Sequence, residues 1–314
     1  MQLRPITEAD LASVLACPTA DPVTTISAER YREEQAKGQF RPEWSWIAQD
    51  GDEVLGRALW WGRADSAQPV ALDCLWIHPA VADRSAVAAD LLAVGHSAFA
   101  AAGEFRLPEY NLTLPNGWRA EPELAEAVAW RREAAGRAGL TVEIERLRYE
   151  WTPEAGVPAA GGRLVFTAEP DDAVFLEVFR RLAEGTLDNE TRKNVGLMGL
   201  EAAARDDMDF YLGCPGKREW WRLVHTVDGQ LAGLAIPSAT PYGPNVGYLG
   251  VVPELRGRRH IDEILAAITR FHAEAGAQRI TATTDTDNAP MSAAFERGGY
   301  RNTEIRLVLE APSH

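Results

Sequence analysis

The chain reads as two copies of one plan, and that repetition limits the folds open to it more than any other feature. "LRPITEADLASVL" near the start gives a strand, a polar turn and a helix, and "RLVFTAEPDDAVFLEVFRRL" from Arg163 gives them again. "WIAQDGDEVLGRALWW" is a strand, an Asp50-Gly51 turn and a strand; "WRLVHTVDGQLAGLAIP" repeats it around Asp228-Gly229. "ALDCLWIHP" leads into the helix "AVAADLLAVGHSAFAAAG", and "VGYLGVVP" leads into "RRHIDEILAAITRFHAEAG". Pro79 answers to Pro253 and Gly103 to Gly276. Each copy closes on a helix, a small turn and a strand: "WRREAAGRAGLTVEIERLRYEW" and "MSAAFERGGYRNTEIRLVLE". The offset between copies stays between about 160 and 178 residues, as a tandem duplication requires.

Mixed strands and helices in each copy place the chain in the α/β or α+β class, as a mixed twisted sheet flanked by helices. The segment Thr152 to Gly162, "TPEAGVPAAGG", is rich in Pro, Gly and Ala and has no apolar period. It divides the sequence into residues 1–151, a linker at 152–162, and residues 163–314. Of the pairs Trp60-Trp61 and Trp220-Trp221, one member each is expected in the core if both pairs lie on strands.

With 314 residues and 46% apolar content, either copy can bury its own core. No apolar run reaches the roughly 18 residues of a membrane span. The start "MQLRPITEADL" is charged at once and lacks a signal-peptide core, so the expected compartment is the cytoplasm. Cys17, Cys74 and Cys214 are spaced neither as a disulfide framework nor as a metal knuckle; all three are expected as unpaired packing thiols, with no metal site. A net charge of −14 disfavours a broad nucleic-acid surface, because backbone phosphates need clustered Lys and Arg. It leaves room for a local basic spot, and Arg256 to His260 is the most concentrated one.

There, an apolar strand from Val246 to Val252 stops at Pro253, and a helix starts near Arg259. Ile261, Ile264, Leu265, Ile268 and Phe271 follow helical spacing and pack on a sheet. A helix N-terminus presents free backbone N–H groups and the positive end of its dipole, which together hold a phosphate. Arg256 and Arg258 would add charge-assisted hydrogen bonds.

This strand, "VVPELRGR", the helix and the later "TDTDNAPMSAAFERGGY" resemble the GNAT superfamily of acyl-coenzyme A N-acyltransferases. Two copies in one chain is an arrangement of that superfamily, as in mycothiol synthase. The resemblance implies two tandem GNAT-like domains, the first degenerate and structural, the second active. It implies acetyl-CoA or another acyl-CoA as co-substrate, a small-molecule amine as acceptor and no metal. A monomer or homodimer is expected, and neither nucleic acid nor membrane as partner. The family's R-x-x-G-x-G/A turn starts at Arg256; its two glycines fall on Arg259 and Ile261, leaving Gly257 as the turn's one glycine. The implied cofactor-binding set is Val251, Val252, Arg256, Gly257, Arg258, Arg259, His260, Ile261, Asn288 and Phe295. Val251 or Val252 would donate the backbone N–H that meets the developing oxyanion.

The family's N-x-x-A-x-x-x-Y-x-x-x-G-F signature falls on Asn288, Met291, Phe295, Gly299 and Tyr300. Phe295 stands where the family carries its acidic tyrosine, so the thiolate leaves unaided or another group serves. Asn288 is expected to touch the pantetheine arm or orient a water, and also to cap a helix, with Pro290 in the first turn. Candidate bases are Tyr248 on the strand before the turn, His225, and Asp207 and Asp209 in "AARDDMDFY"; Asn245 replaces a glutamate of some relatives and is no base. After "LWIHP" the first copy has no glycine in its turn and only Arg84 as a cation, so no cofactor is expected there. Two other functions compete. The lost glycines and Phe295 fit a catalytically inactive ligand- or partner-binding protein. An aminoacyl-tRNA-dependent transferase of the Fem type is compatible with the altered turn but opposed by the negative charge.

Overall fold

The computed structural model describes residues 1–16, 21–23, 26–103 and 105–312. In chain order the first part runs β1 (Gln2–Pro5), α1 (Leu11–Leu15), α2 (Ala28–Ala36), β2 (Phe40–Asp50), β3 (Glu53–Trp61), β4 (Ala71–Ile77), α3 (Arg84–Ala101), β5 (Glu109–Pro115), α4 (Pro122–Arg137) and β6 (Val142–Trp151). The second runs β7 (Leu164–Thr167), α5 (Asp172–Ala183), α6 (Asn189–Met198), α7 (Leu200–Gly213), β8 (Arg222–Thr226), β9 (Leu231–Thr240), β10 (Gly243–Val251), α8 (His260–Glu274), β11 (Ile280–Asp285), α9 (Ala289–Arg297) and β12 (Arg301–Glu310). Among the described residues no helix is long and apolar enough to cross a membrane.

The duplication is real at the level of topology. In the first part β1, β2, β3 and β4 pair antiparallel in succession, and β4 then pairs parallel with β5. In the second, β7, β8, β9 and β10 do the same, and β10 pairs parallel with β11. Both parallel pairs are short. β4 and β5 share Ala71↔Glu109 and Leu72↔Tyr110; β10 and β11 share Asn245↔Thr281 alone. Beyond those points the strands part and leave backbone edges open to other partners.

The chain divides into two compact units, Met1–Glu145 with Arg306–Pro312, and Arg146–Ile305. The division does not fall in Thr152–Gly162. It falls inside β6, because Arg146–Trp151 pair residue by residue with Asp285–Ile280 of β11. Thr152–Gly162 is docked within the second unit: Trp151 Nε1 donates to Gly156 O at 3.1 Å, and Arg270 Nη1 to Pro158 O at 3.3 Å.

Helical spacing gives each amphipathic helix its buried stripe. Phe175, Val178, Phe179 and Leu182 of α5 recur at i, i+3, i+4 and i+7, and all are buried. In α8, Ile264, Leu265 and Ile268 are at most 1% exposed. Trp60 lies in the core and Trp61 is half-buried. Trp221 is buried, whereas Trp220 ends a 3₁₀ turn rather than lying on a strand. Cys74 is buried and Cys214 half-buried, both as free thiols; Cys17 lies outside the described residues.

Candidate active site

The parting of β10 from β11 is built by a bulge. The β9–β10 register shifts between Asn245 and Tyr248, and Gly247 in the bulge has φ +74°. A Cβ on Gly247 would lie 2.2 Å from the Ile236 carbonyl oxygen, so glycine is required for this close approach. Asn245 locks the arrangement. Its Oδ1 accepts from Gly247 N–H at 2.8 Å, while its Nδ2 donates to Thr281 O and Thr281 Oγ1, both at 3.0 Å.

Past the bulge, Val252 N–H donates to Ala232 O at 2.9 Å, continuing the ladder to β9. In an antiparallel pair successive residues alternate between facing the partner and facing away. The Val251 N–H therefore points to the open edge. Between the two oxyanion donors expected from sequence, Val252 is committed to the ladder and Val251 N–H has no partner among the described residues.

The turn that follows has an unexpected division of labour among its arginines. Arg256 does not face a phosphate site. Its guanidinium donates to Val251 O, Glu184 O, Gly185 O and Leu182 O at 2.9–3.1 Å, so it ties the end of β10 to the C-terminal carbonyls of α5. Arg258 and Arg259 are exposed, and their guanidinium groups pair with nothing among the described residues. Arg259 sits at the N-cap of α8 with φ 58° and ψ 25°, in the left-handed region that glycine adopts freely. That conformation costs an arginine about 1 kcal/mol. The turn thus holds an arginine in a backbone state to which glycine is better suited.

Among the described residues no side chain caps α8. The backbone N–H groups of Gly257, Arg258, Arg259, His260 and Ile261 form no hydrogen bond among the described residues. The carboxylates around them are each neutralised: Glu254 by Arg181, Asp262 by Arg297 and Glu263 by Arg163. Free amides, a helix dipole and two unpaired arginines make a positive cradle. His260, the first helical residue, is 8% exposed, and its Nδ1 has no partner. Burial, then Arg163 and Arg258 nearby, hold its pKa below the usual imidazole value, so the ring is neutral at pH 7.

The corresponding place in the first unit is closed. Asp83 caps α3, its Oδ1 accepting from Ala86 N–H at 2.9 Å and from the Ser85 hydroxyl at 3.0 Å. A carboxylate thus fills the anion position. The open edge of β4 is filled too. The fully buried Arg131 donates to Leu75 O through Nε at 3.2 Å and Nη2 at 3.0 Å, and pairs with Asp21 at 2.7 Å.

On the other side of β10, Tyr248 stacks with Phe179 at 5.1 Å and tilts against Tyr211 at 5.2 Å. Burial and the nearby carboxylates of Asp207 and Asp188 push both phenols up, so they stay protonated. Tyr248 is thereby a hydrogen-bonding group rather than a base. Asp207 is raised to about 6, first by burial and then by Asp188, Asp206 and Glu190, against the opposing hydrogen bond from Thr191 Oγ1 at 3.0 Å. Asp209 is exposed.

The other expected site residues are His225, Asn288 and Phe295, and Asn288 makes the helix cap expected of it. His225 lies on β8, which β9 separates from β10, roughly 10 Å of sheet away. Asn288 caps α9 through Oδ1 to Met291 N–H at 3.4 Å. Phe295 is 1% exposed, stacked on Tyr149 at 5.0 Å and tilted against Tyr300 at 5.4 Å, with no hydroxyl of its own. Sequence reading missed Asp188, Tyr211, Arg163 and Glu263; Asp188 carried a faint signal as the N-cap of α6, and the others carried none.

No family model matches the chain, and no curated protein matches it. Solved structures do. A GCN5-related N-acetyltransferase from Sphaerobacter thermophilus aligns with 100% of this chain and 96% of its own, at 14% identity and a TM-score of 0.57. A GCN5-related glucosamine N-acetyltransferase region in a fungal multi-domain GH3 β-N-acetylglucosaminidase aligns with 98% of this chain and 38% of its own, at 12% identity and a TM-score of 0.51. A tandem GNAT protein from the clavulanic acid biosynthesis pathway covers 100% of this chain and 99% of its own, at 16% identity and a TM-score of 0.47.

Proposed function

From the premise that the chain has the GNAT fold along its length, we propose that it is an acyl-coenzyme A-dependent N-acyltransferase whose second unit works on a small-molecule amine. The observation that carries this reading is the uncapped start of α8, with five unpaired amides from Gly257 to Ile261, set against the carboxylate-capped start of α3. A helix end kept open in one copy and sealed in the other is the pattern expected if only one copy receives a pyrophosphate.

The residues present fit such a group. The amides of 257–261 would hold the phosphates, Arg258 and Arg259 would add charge, and neutral His260 Nδ1 would accept or donate one hydrogen bond. The coenzyme supplies the acyl group as a thioester. Val251 N–H, on the parted edge of β10, would donate a hydrogen bond to the thioester carbonyl oxygen and favour negative charge there. Asp207 receives the proton of an ammonium acceptor, and Tyr211 and Tyr248 orient the amine with neutral hydroxyls. Phe295 has no proton to give, so this position would not protonate the departing thiolate, whose thiol pKa is about 8.5. The first unit is structural.

The test is a titration of acetyl-CoA followed by melting temperature. A ligand that binds only the folded state stabilises by about 2.7 kcal/mol at one hundred times Kd. A saturable upward shift, followed by transfer to a member of an amine panel, is the expected result. No shift at near-millimolar acetyl-CoA would overturn the proposal. Binding without turnover would favour the inactive ligand-binding reading, which rests on the buried Phe295.

A further inference from the structure

Arg163, the first residue after the Pro/Gly-rich segment, reaches back to the cradle. Its Nη1 donates to Arg258 O at 2.9 Å and its Nη2 to Arg259 O at 3.1 Å. Its Nε meets Glu263 Oε2 at 3.3 Å, and Glu263 Oε1 in turn accepts from the backbone N–H of Arg163 at 3.0 Å and of Leu164 at 2.8 Å. Gly161 permits the approach, since a Cβ there would lie 2.0 Å from Glu263 Cδ.

A trans peptide carries its C=O and its N–H on opposite sides. The carbonyl of Arg258 shares a peptide with the N–H of Arg259, and the carbonyl of Arg259 with the N–H of His260. Drawing both carbonyls onto one guanidinium turns both N–H groups the other way, toward the open start of α8. The same fork holds Arg259 at φ 58°, a backbone state that glycine adopts freely and arginine does not. It also cancels the charge of Glu263, a 6%-exposed carboxylate in the first turn of the helix that would otherwise repel an anion. The unpartnered, 8%-exposed His260 beside these amides is the second mark of a site awaiting a polar ligand.

We infer that Arg163 is a positioning residue for phosphate recognition: its fork, braced by Glu263, replaces the missing glycine at Arg259 and aims the cradle amides. The inference rests on the function proposed above only for the identity of the phosphate. Arg163 is 52% exposed, so its effect comes from the geometry of two carbonyls on one fork more than from unscreened charge.

The experiment uses the full chain and four variants: Arg163→Ala, Arg163→Lys, Arg259→Gly, and the Arg163→Ala/Arg259→Gly double. Coenzyme A, inorganic pyrophosphate and phosphate-free pantetheine are titrated against each, and melting temperatures are recorded without ligand. Arg163→Ala is expected to weaken coenzyme A and pyrophosphate at least tenfold and leave pantetheine unchanged. Arg163→Lys, which keeps the charge and loses the fork, should fail nearly as badly. Arg259→Gly should recover most of the loss in the double variant. Unchanged coenzyme A affinity in Arg163→Ala, equal losses for pantetheine, or no recovery in the double would overturn the inference. The ligand-free arm separates it from the proposed function. Arg259→Gly should raise the melting temperature more in the Arg163→Ala background than in the wild type. Equal gains sink the fork whatever the protein binds; unequal gains with pyrophosphate but no coenzyme A binding by the wild type sustain the inference and sink the acyltransferase, and binding of neither overturns both.

Discussion

Asp207 is the residue whose chemistry is most sharply set by its surroundings. It is half-buried among carboxylates, with the Thr191 hydroxyl its one hydrogen-bond donor among the described residues, and its pKa is raised from 3.8 to about 6. A base with that value is charged above pH 6 and idle below it. Activity toward the best acceptor of an amine panel is expected to fall as pH drops through about 6. Asp207→Asn should lower kcat/KM by about 10²-fold or more and remove that acid limb; a variant with the limb intact would assign the base elsewhere. The stability sign is the reverse of the usual carboxylate case. Between pH 3.8 and about 6 the folded chain holds a proton that the unfolded chain has released, so Asp207 makes the protein less stable as pH rises through that window. Asp207→Asn should remove that slope in chemical unfolding curves, a readout that needs no substrate.

At the scale of elements, β10 and α8 act as one device. The bulge at Gly247 parts β10 from β11, the alternation beyond it frees Val251 N–H, and Arg259 opens the helix. Gly247→Ala places a methyl against the Ile236 carbonyl at a φ of +74°. It is expected to cost about 2 kcal/mol or more in denaturant unfolding and to abolish any acetyl-CoA shift at temperatures where the variant remains folded. A cost near zero would show that β10 runs straight and that the open edge at Val251 is not built by the bulge. The turn itself was legible as a place but not as a set of roles. "VVPELRGR" announced a strand, a stop and a helix start. It did not reveal that Arg256 serves carbonyls about 71–74 residues earlier in the chain, because sequence spacing carries no trace of such partners.

At the scale of the molecule, each copy of the sequence plan lacks part of its own unit. Residues from Arg306 belong to the compact unit that begins at Met1, and Arg146–Trp151 belong to the unit that holds β11. A fragment of residues 1–151 therefore omits a strand segment of its unit, and one of residues 163–314 exposes the edge of β11. Both are expected to melt at least 10 °C below the full chain or to aggregate through unpaired strand edges. Two fragments that each unfold cooperatively at the temperature of the full chain would show the copies to be self-sufficient.

Local patterns determined the repeat, the mixed sheet-and-helix class, the Asp-Gly hairpins, the helix stripe from Ile261 to Phe271 and the place of the turn that opens α8. These follow from periods of two and 3.6 residues and from turn chemistry, which act between near neighbours. Tertiary structure alone decided the rest. It sealed the first cleft with Arg131 and Asp83, gave Val251 rather than Val252 the free N–H, and turned Arg256 onto the carbonyls at the end of α5. It raised Asp207 by burying it, with neighbouring carboxylates adding to the shift, and brought Arg163 to hold an arginine where a glycine would rest without help. Each of these depends on a carbonyl, a carboxylate or a strand edge supplied from elsewhere in the fold. Hydrogen bonds and desolvation act over a few ångströms of space, whatever the distance along the chain.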